Sequence, residues 1–343
     1  VLSNVTLSRF SEITSCYASL RLALVGDFCL DRYLEIDPTK TETSIETGLP
    51  VHNVVRVRSQ PGGAGTILNN LCALGIGELY PVGFRGDDGE GYELLQAFNQ
   101  MPGVNLEAFV QTPLRRTFTY CKPLFVAPEQ PPVELNRLDS KNWSPTPAQV
   151  EGALINRFRE LSQQLKAVIL LDQVDVPETG VLTKSVLAAV GECVRELPHV
   201  LVVGDSRRGM RGWPPITSKM NLAELCALTG LASDANLTTL KESALTMAKR
   251  NNRMVFITLS ERGILGAAPN GQVEHVPCHP LRGPIDIVGA GDAVTANLTA
   301  ALAAGATLRE AIAIANAAAS VVIHQLGTTG TASVSQIQKL LFG

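Results

Sequence analysis

The chain has 343 residues, 45% of them hydrophobic, with 29 Lys plus Arg against 32 Asp plus Glu and a formal net charge of -3. That length can bury a large core, and the near-balanced charge gives no overall positive field for nucleic acid or an anionic membrane surface. Any phosphate the protein binds must therefore be held by local groups.

Seven cysteines (Cys16, Cys29, Cys72, Cys121, Cys193, Cys226 and Cys278) stand singly without C-x-x-C spacing. This reads as reduced, mostly buried thiols of a cytoplasmic protein rather than a zinc or redox site. The first residues lack the basic region, long apolar run and small-residue cleavage site of a secretory signal, so none is expected. From Arg21 onward, short β-rich runs alternate with helical stretches: Leu22–Val25, Ala64–Leu74, Leu79–Val82, Tyr92–Met101, Val168–Leu171, Val181–Leu197, Val200–Val203 and Met254–Leu259. Such alternation predicts a mainly parallel sheet covered by helices on both faces, an α/β layered fold. Residues 33–58 and 106–138 break the rhythm, being rich in Thr, Val and charge without a helical period. They are expected to pair as a small second sheet, a β lid over one edge of a single domain, or else to be two long surface loops. The last third turns Ala-rich, predicting helices over 289–304 and 308–326 and a closing segment near 334–341. The longest apolar stretch, Ala311 to Ile323, contains Asn316 and Ser320 and is too short for a bilayer, which predicts a buried helix.

The sharpest chemical signal is Asp286-Ile287-Val288-Gly289-Ala290-Gly291-Asp292, running straight into an apolar helical stretch. Glycines let the backbone turn while exposing N–H groups, and a helix starting there adds the positive end of its dipole, which together make an anion cradle. An Asp in the first turn could take a proton from an alcohol attacking the cradled anion, as phosphoryl transfer requires. On these residues alone, a plain turn followed by a dipole-favouring Asp fits as well.

Gly-Ala-Gly-Asp, with a further Asp six residues before its last, resembles the second signature of the ribokinase-like, or PfkB, carbohydrate kinases. Pro61-Gly62-Gly63-Ala64-Gly65, leading into a helix that ends at Leu74-Gly75, is similar to the family's early glycine pair beside the sugar. Asn221-Leu222-Ala223-Glu224 matches its N-x-x-E motif. Smaller matches agree in order: Gly26-Asp27 with Asp31, Gly86-Asp87-Asp88, Thr258 through Gly263, and Asn316-Ala317-Ala318-Ala319. The resemblance covers roughly residues 20 to 340. It implies a ribokinase-like three-layer α/β/α fold and ATP-dependent phosphorylation of a sugar or sugar-phosphate hydroxyl.

By position, the resemblance makes Asp292 the catalytic base and the amides of Gly289, Ala290 and Gly291 the anion hole. Asp31, Gly62 and Gly63 would hold the sugar, with Thr66 where an Asn is usual. Asn221 and Glu224 would organise ATP and a hydrated Mg2+, although their spacing also reads as a helix capping box. Thr258, Ser260, Gly263 and Asn316 would wall the nucleotide. Asp286 would shape a monovalent-cation (K+) site, a carry-over weakened by Val288, where Thr is common.

Among branches of the family, the heptose-phosphate kinases look nearest, through Leu30-Asp31-Arg32-Tyr33, Arg137-Leu138-Asp139 and Leu326-Gly327-Thr328. A phosphorylated acceptor would need cations, for which Arg115, Arg116 and Arg137 are candidates. Two departures leave the sugar open: Gln173-Val174-Asp175 replaces an expected Tyr-x-Lys-Gly, and Asp205-Ser206-Arg207 replaces Asp-Pro-Lys, leaving Arg207 toward the nucleotide. No nucleotidyltransferase domain precedes the end at Gly343, so that second activity of the bifunctional enzymes is not expected here. A nucleoside kinase of the same fold and a catalytically silent nucleotide- or sugar-binding sensor or partner subunit are the competing readings. A homodimer through the exposed lid edges is expected.

Overall fold

The computed structural model describes residues 5–327 and 329–343. Helix α1 (Leu7–Ser15) precedes β1 (Arg21–Gly26), which runs almost directly into β2 (Phe28–Ile36). A short ribbon of β3 (Glu42–Thr43) and β4 (Pro50–Val51) leads to β5 (Val54–Gly63), α2 (Ala64–Ala73), β6 (Glu78–Gly86) and α3 (Gly89–Asn99). Next come β7 (Phe109–Thr112), β8 (Phe118–Phe125), β9 (Val133–Glu134), β10 (Leu138–Ser140), α4 (Ala148–Ser162), β11 (Ala167–Asp172), α5 (Lys184–Glu196), β12 (Leu201–Ser206) and β13 (Thr217–Asn221). The chain closes with α6 (Leu222–Thr229), α7 (Leu237–Asn251), β14 (Val255–Thr258), β15 (Ile264–Ala267), β16 (Val273–Val276), α8 (Ala290–Ala303), α9 (Leu308–Val322) and α10 (Val334–Phe342).

The main sheet is nine-stranded, in the order β16-β15-β14-β13-β12-β11-β1-β6-β7. It is parallel from β14 to β7, and β15 and β16 add antiparallel at one edge. Helices cover both faces, which is why β11 is apolar and buried at every position before its terminal Asp172. Alternate residues serve opposite layers: Ala167, Ile169 and Leu171 join the core with α2, α8 and α9, while Val168 and Leu170 pack with α4 and α5. Most alanines of α8 and α9, Ala293, Ala296, Ala311 and Ala315 among them, are fully buried, so these two helices pack closely beneath the sheet. The sequence reading named the helices of the Ala-rich third but passed over α4 and α7, whose buried stripes are Val150, Leu154, Phe158 and Leu161, and Leu240, Ala244, Met247 and Ala248.

The second sheet has the order β10-β8-β2-β5, with β9 added to β8. It begins at Phe28 and ends at Ser140, wider than the segments 33–58 and 106–138. Within the latter, β7 is a correction, since it pairs parallel with β6 at the edge of the main sheet. Phe109 packs edge-to-face on Phe28 at 5.3 Å and on Phe98 at 5.2 Å, an aromatic cluster that ties this strand to the large core. The C-terminal ends of the parallel strands, where open α/β sheets hold ligands, face the root of this second sheet through the turn between β1 and β2.

Candidate functional site

Helix α8 starts on Gly289, whose φ of 82° is the left-handed conformation that glycine adopts at little cost. Its first helical hydrogen bond runs from Ala293 N–H to the Gly289 carbonyl at 3.0 Å. The N–H groups of Gly289, Gly291 and Asp292 have no backbone partner among the described residues, as expected of a helix start. Ala290 differs from the expectation: its N–H donates to the Ile287 carbonyl at 3.2 Å and is closed within the turn. The available anion cradle is thus Gly289, Gly291 and Asp292.

Beneath it lies a charge cluster that spans three elements. Lys219 on β13 and Asp205 on β12 form a buried ion pair at 2.8 Å, and Thr295 of α8 donates to the same Asp205 oxygen at 2.8 Å. A Cβ on Gly291 would stand 3.2 Å from Lys219 Nζ, so the amine sits directly under the cradle. Burial pulls the Lys219 amine down, but Asp205, Asp292 and Glu224 outweigh it and keep the amine charged. The half-buried Asp292 carboxyl makes no hydrogen bond among the described residues. Burial, helped by the fields of Asp205 and Asp31 and opposed by Lys219, pushes it up to about 7. Neither Lys219 nor Asp205 was assigned a role from the sequence. A lysine inside a strand, two residues before the N-x-x-E motif, was the signal that could have found it.

On the second-sheet side, Asp31 of β2 lies against Gly62 of β5, where a Cβ would come within 2.7 Å of its carboxylate. Gly63 has φ 56°, and a Cβ there would press on the Asp27 carbonyl at 2.5 Å. Asp27 holds this turn in place. Its carbonyl accepts from Ala64 N–H at 3.0 Å, and its buried carboxylate accepts from the N–H groups of Gln173, Val174 and Val181 at 2.8, 3.2 and 2.7 Å. Thr66 is buried in the first turn of α2.

Among the expected cations, Arg115 is corrected: it is 5% exposed and donates to the carbonyls of Ser144, Pro145 and Thr179, so it braces a loop. Arg116 is exposed and fixed through its backbone to Asn142, and no contact links its guanidinium to Asp31. The cation nearest Asp31 is instead Lys122 of β8, 3.8 Å away and 4.9 Å from the Tyr33 ring centre. Burial raises the Asp31 carboxyl, while Lys122 and Arg137 draw it back down.

On the nucleotide side, Asn221 and Glu224 form a complete capping box, Asn221 Oδ1 accepting from Glu224 N–H at 2.9 Å and Glu224 Oε2 from Asn221 N–H at 2.8 Å. Burial and Asp205 raise the Glu224 carboxyl, against the Asn221 amide and Lys219. Thr258 ends β14 in register with Asn221. Ser260 has φ 51°, and Gly263, at φ 91°, leaves no room for a Cβ beside the Val276 carbonyl. Asn316 is 3% exposed and donates to the Pro277 carbonyl at 2.6 Å, so it supports the wall from behind. Arg207 is exposed, 3.8 Å from Asp175.

Asp286 accepts from Val288 N–H at 3.0 Å and Gly327 N–H at 3.3 Å, tying the glycine turn to the segment after α9; Thr328 lies outside the described residues. No group of three or more His, Cys, Asp or Glu is placed to hold a bare metal among the described residues. The Asp205 and Glu224 carboxylates, partly satisfied by protein donors and close to each other's field, suit a hydrated divalent cation.

Residues 28–334 match the pfkB family carbohydrate kinase profile. The bifunctional protein HldE of Trichlorobacter lovleyi is 32% identical over 318 residues, 91% of this chain and 61% of that protein. HldE of Gluconacetobacter diazotrophicus is 31% identical over 94% of this chain and 63% of its own. The chain thus spans somewhat under two thirds of the length of these relatives. In fold, it resembles a structure of Arabidopsis thaliana ribokinase complexed with ribose and ATP, with TM-score 0.66, 18% identity and coverage of 94% and 99% of the two chains. It also resembles Escherichia coli phosphofructokinase-2 in complex with fructose-6-phosphate, with TM-score 0.65, 17% identity and coverage of 94% and 97%. The expected three-layer ribokinase-like fold is borne out.

Proposed function

This chain belongs to the pfkB family of carbohydrate kinases, and on that premise we propose that it transfers the terminal phosphoryl group of ATP to a hydroxyl of a phosphorylated sugar. One observation carries the reading: Asp292, a half-buried carboxylate without a hydrogen-bond partner, is held up at about 7 beside two unpartnered glycine amides at the start of α8. A base of that strength is half-ionised near neutrality and can accept the hydroxyl proton as the oxygen attacks. The N–H groups of Gly289 and Gly291, with the Lys219 amine behind them, offer positive charge where it builds up on the transferring group. Asp31 and the Gly62–Gly63 backbone would hold sugar hydroxyls, and the second sheet would act as a lid that excludes water. A magnesium ion accompanying ATP would be held through water by Glu224 and Asp205, and would supply further charge to the phosphates. A potassium ion near Asp286 is a weaker extension, tested by comparing rates with and without potassium.

For the phosphorylated acceptor, the candidate cations near Asp31 are Lys122, 3.8 Å from its carboxylate, and Arg137, which pairs with Asp139 at 2.9 Å and would exchange that partner for a phosphate. The HldE relatives point to the same branch. A cytoplasmic setting, where ATP is available and the seven cysteines, none in a disulfide, stay reduced, and a homodimer through the open β5 edge belong to this reading. The test is ADP release with magnesium, ATP and a panel of sugar phosphates, unphosphorylated sugars and adenosine. Turnover should be greatest with a sugar phosphate. Preference for adenosine would make it a nucleoside kinase, and ATP binding without turnover on any acceptor would leave a silent sensor.

A further inference from the structure

Lys219 points toward α8, so its neighbours Ser218 and Met220 point to the opposite face of β13, where α6 and α7 pack. No helix joins β12 to β13. Residues 207–216 cross instead, and they press on Gly204 so closely that a Cβ there would come within 2.8 Å of Trp213. Between this crossing and α7 lies a cavity of about 320 Å³, walled by Trp213, Met220 and Met247, at the lower end of the range for small-ligand sites.

Two features of the cavity call for an occupant. Ser218, 4% exposed, is one of its lining residues, and its hydroxyl, closed off from the cavity space in this rotamer, has no hydrogen-bond partner, whereas a buried hydroxyl is normally paired. Arg211 and Arg250 also line it, both exposed, and neither forms a salt bridge among the described residues. Thioethers and an indole accept an aromatic ring, the Ser218 hydroxyl can bond a polar atom on it after rotating about its Cα–Cβ bond, and two unneutralised guanidinium groups attract an anion.

We propose that this cavity is a binding site for a small aromatic anion, separate from the Asp292 cleft and on the reverse face of the strand that carries Lys219. Because binding is read without turnover, the test stands apart from the kinase reading. The probe is 8-anilinonaphthalene-1-sulfonate, titrated at saturating magnesium and ATP so that the nucleotide cleft is filled. Saturable fluorescence at one dye per chain is expected, with energy transfer from Trp213 that disappears in Trp213→Phe. Arg211→Glu with Arg250→Glu should weaken binding at least ten-fold while the melting curve stays unchanged, and Ser218→Ala should weaken it about three-fold. Met247→Trp, which fills the cavity, should abolish binding. Absence of saturable binding would mean that the cavity holds only water, and equal binding by the charge-reversed and filled variants would place the dye elsewhere; either result overturns the proposal.

Discussion

Asp292 and Asp31 lie within each other's field, and burial raises both carboxyls, yet their other neighbours differ in sign. Asp292 faces Asp205, and the one cation close to it, Lys219, is already paired with that residue. Asp31 faces Lys122 and Arg137 with only Asp139 in opposition. Both carboxyls thus stay above their ordinary value, but at Asp31 two cations work against the rise and at Asp292 Lys219 alone does. Neighbouring charges, acting on top of burial, set the two carboxyls apart, which fits the separate roles proposed for them.

Removing the Asp292 carboxylate should break this division most sharply. Asp292→Asn is expected to lower kcat by about 10³ to 10⁴ while ATP affinity is kept, measured as ADP release alongside nucleotide binding; a kcat within ten-fold of the parent would take Asp292 out of the mechanism. The same variant tests the energetics. A carboxyl whose folded value lies above its unfolded one stabilises most at low pH and loses that contribution as pH rises through about 7. Asp292→Asn should therefore raise Tm relative to the parent at pH 8, by roughly a few degrees, and the gain should shrink toward pH 5.

Next in size is the Lys219–Asp205 pair. The parent rate should fall about ten-fold per pH unit below its midpoint near 7, since only the ionised Asp292 accepts the proton. Lys219→Met removes the group that opposes the rise and should move this midpoint upward, with kcat down about 10²-fold. Asp205→Asn removes a group that causes the rise and should move it downward. Midpoints that shift together would show that the cluster is structural and does not tune Asp292.

The glycine turn and Asp292 were legible because their chemistry is contiguous: two glycines, one acid and an apolar helix within a dozen residues. The Lys219–Asp205 cluster was not, since it forms only when β12, β13 and α8 come together in space. Arg115 and Arg116 show the same limit at the shortest range. They are adjacent and chemically identical, yet one is buried on three carbonyls and the other is exposed, a difference set by loops at Ser144 and Thr179. Strand β7 was misplaced because four residues carry too little period, and its aromatic anchor, Phe28, is some eighty positions away.

On the second sheet, Lys122→Met should raise KM for the acceptor about ten-fold with kcat little changed, and Lys122→Arg should restore part of the loss. The split matters, because a lid strand that merely misfolded would lower kcat and Tm as well.

The smallest effect is expected at Arg116. Arg116 was one of three candidate cations for an acceptor phosphate, but its backbone is fixed to Asn142 and its exposed guanidinium has no partner among the described residues. A solvated charge contributes little to binding, so Arg116→Ala should change KM by no more than about two-fold. A ten-fold rise, confined to phosphorylated acceptors, would mean that the second sheet moves on substrate binding far enough to bring Arg116 to the acceptor phosphate. The contrast between the two carboxylates would then describe only the open cleft.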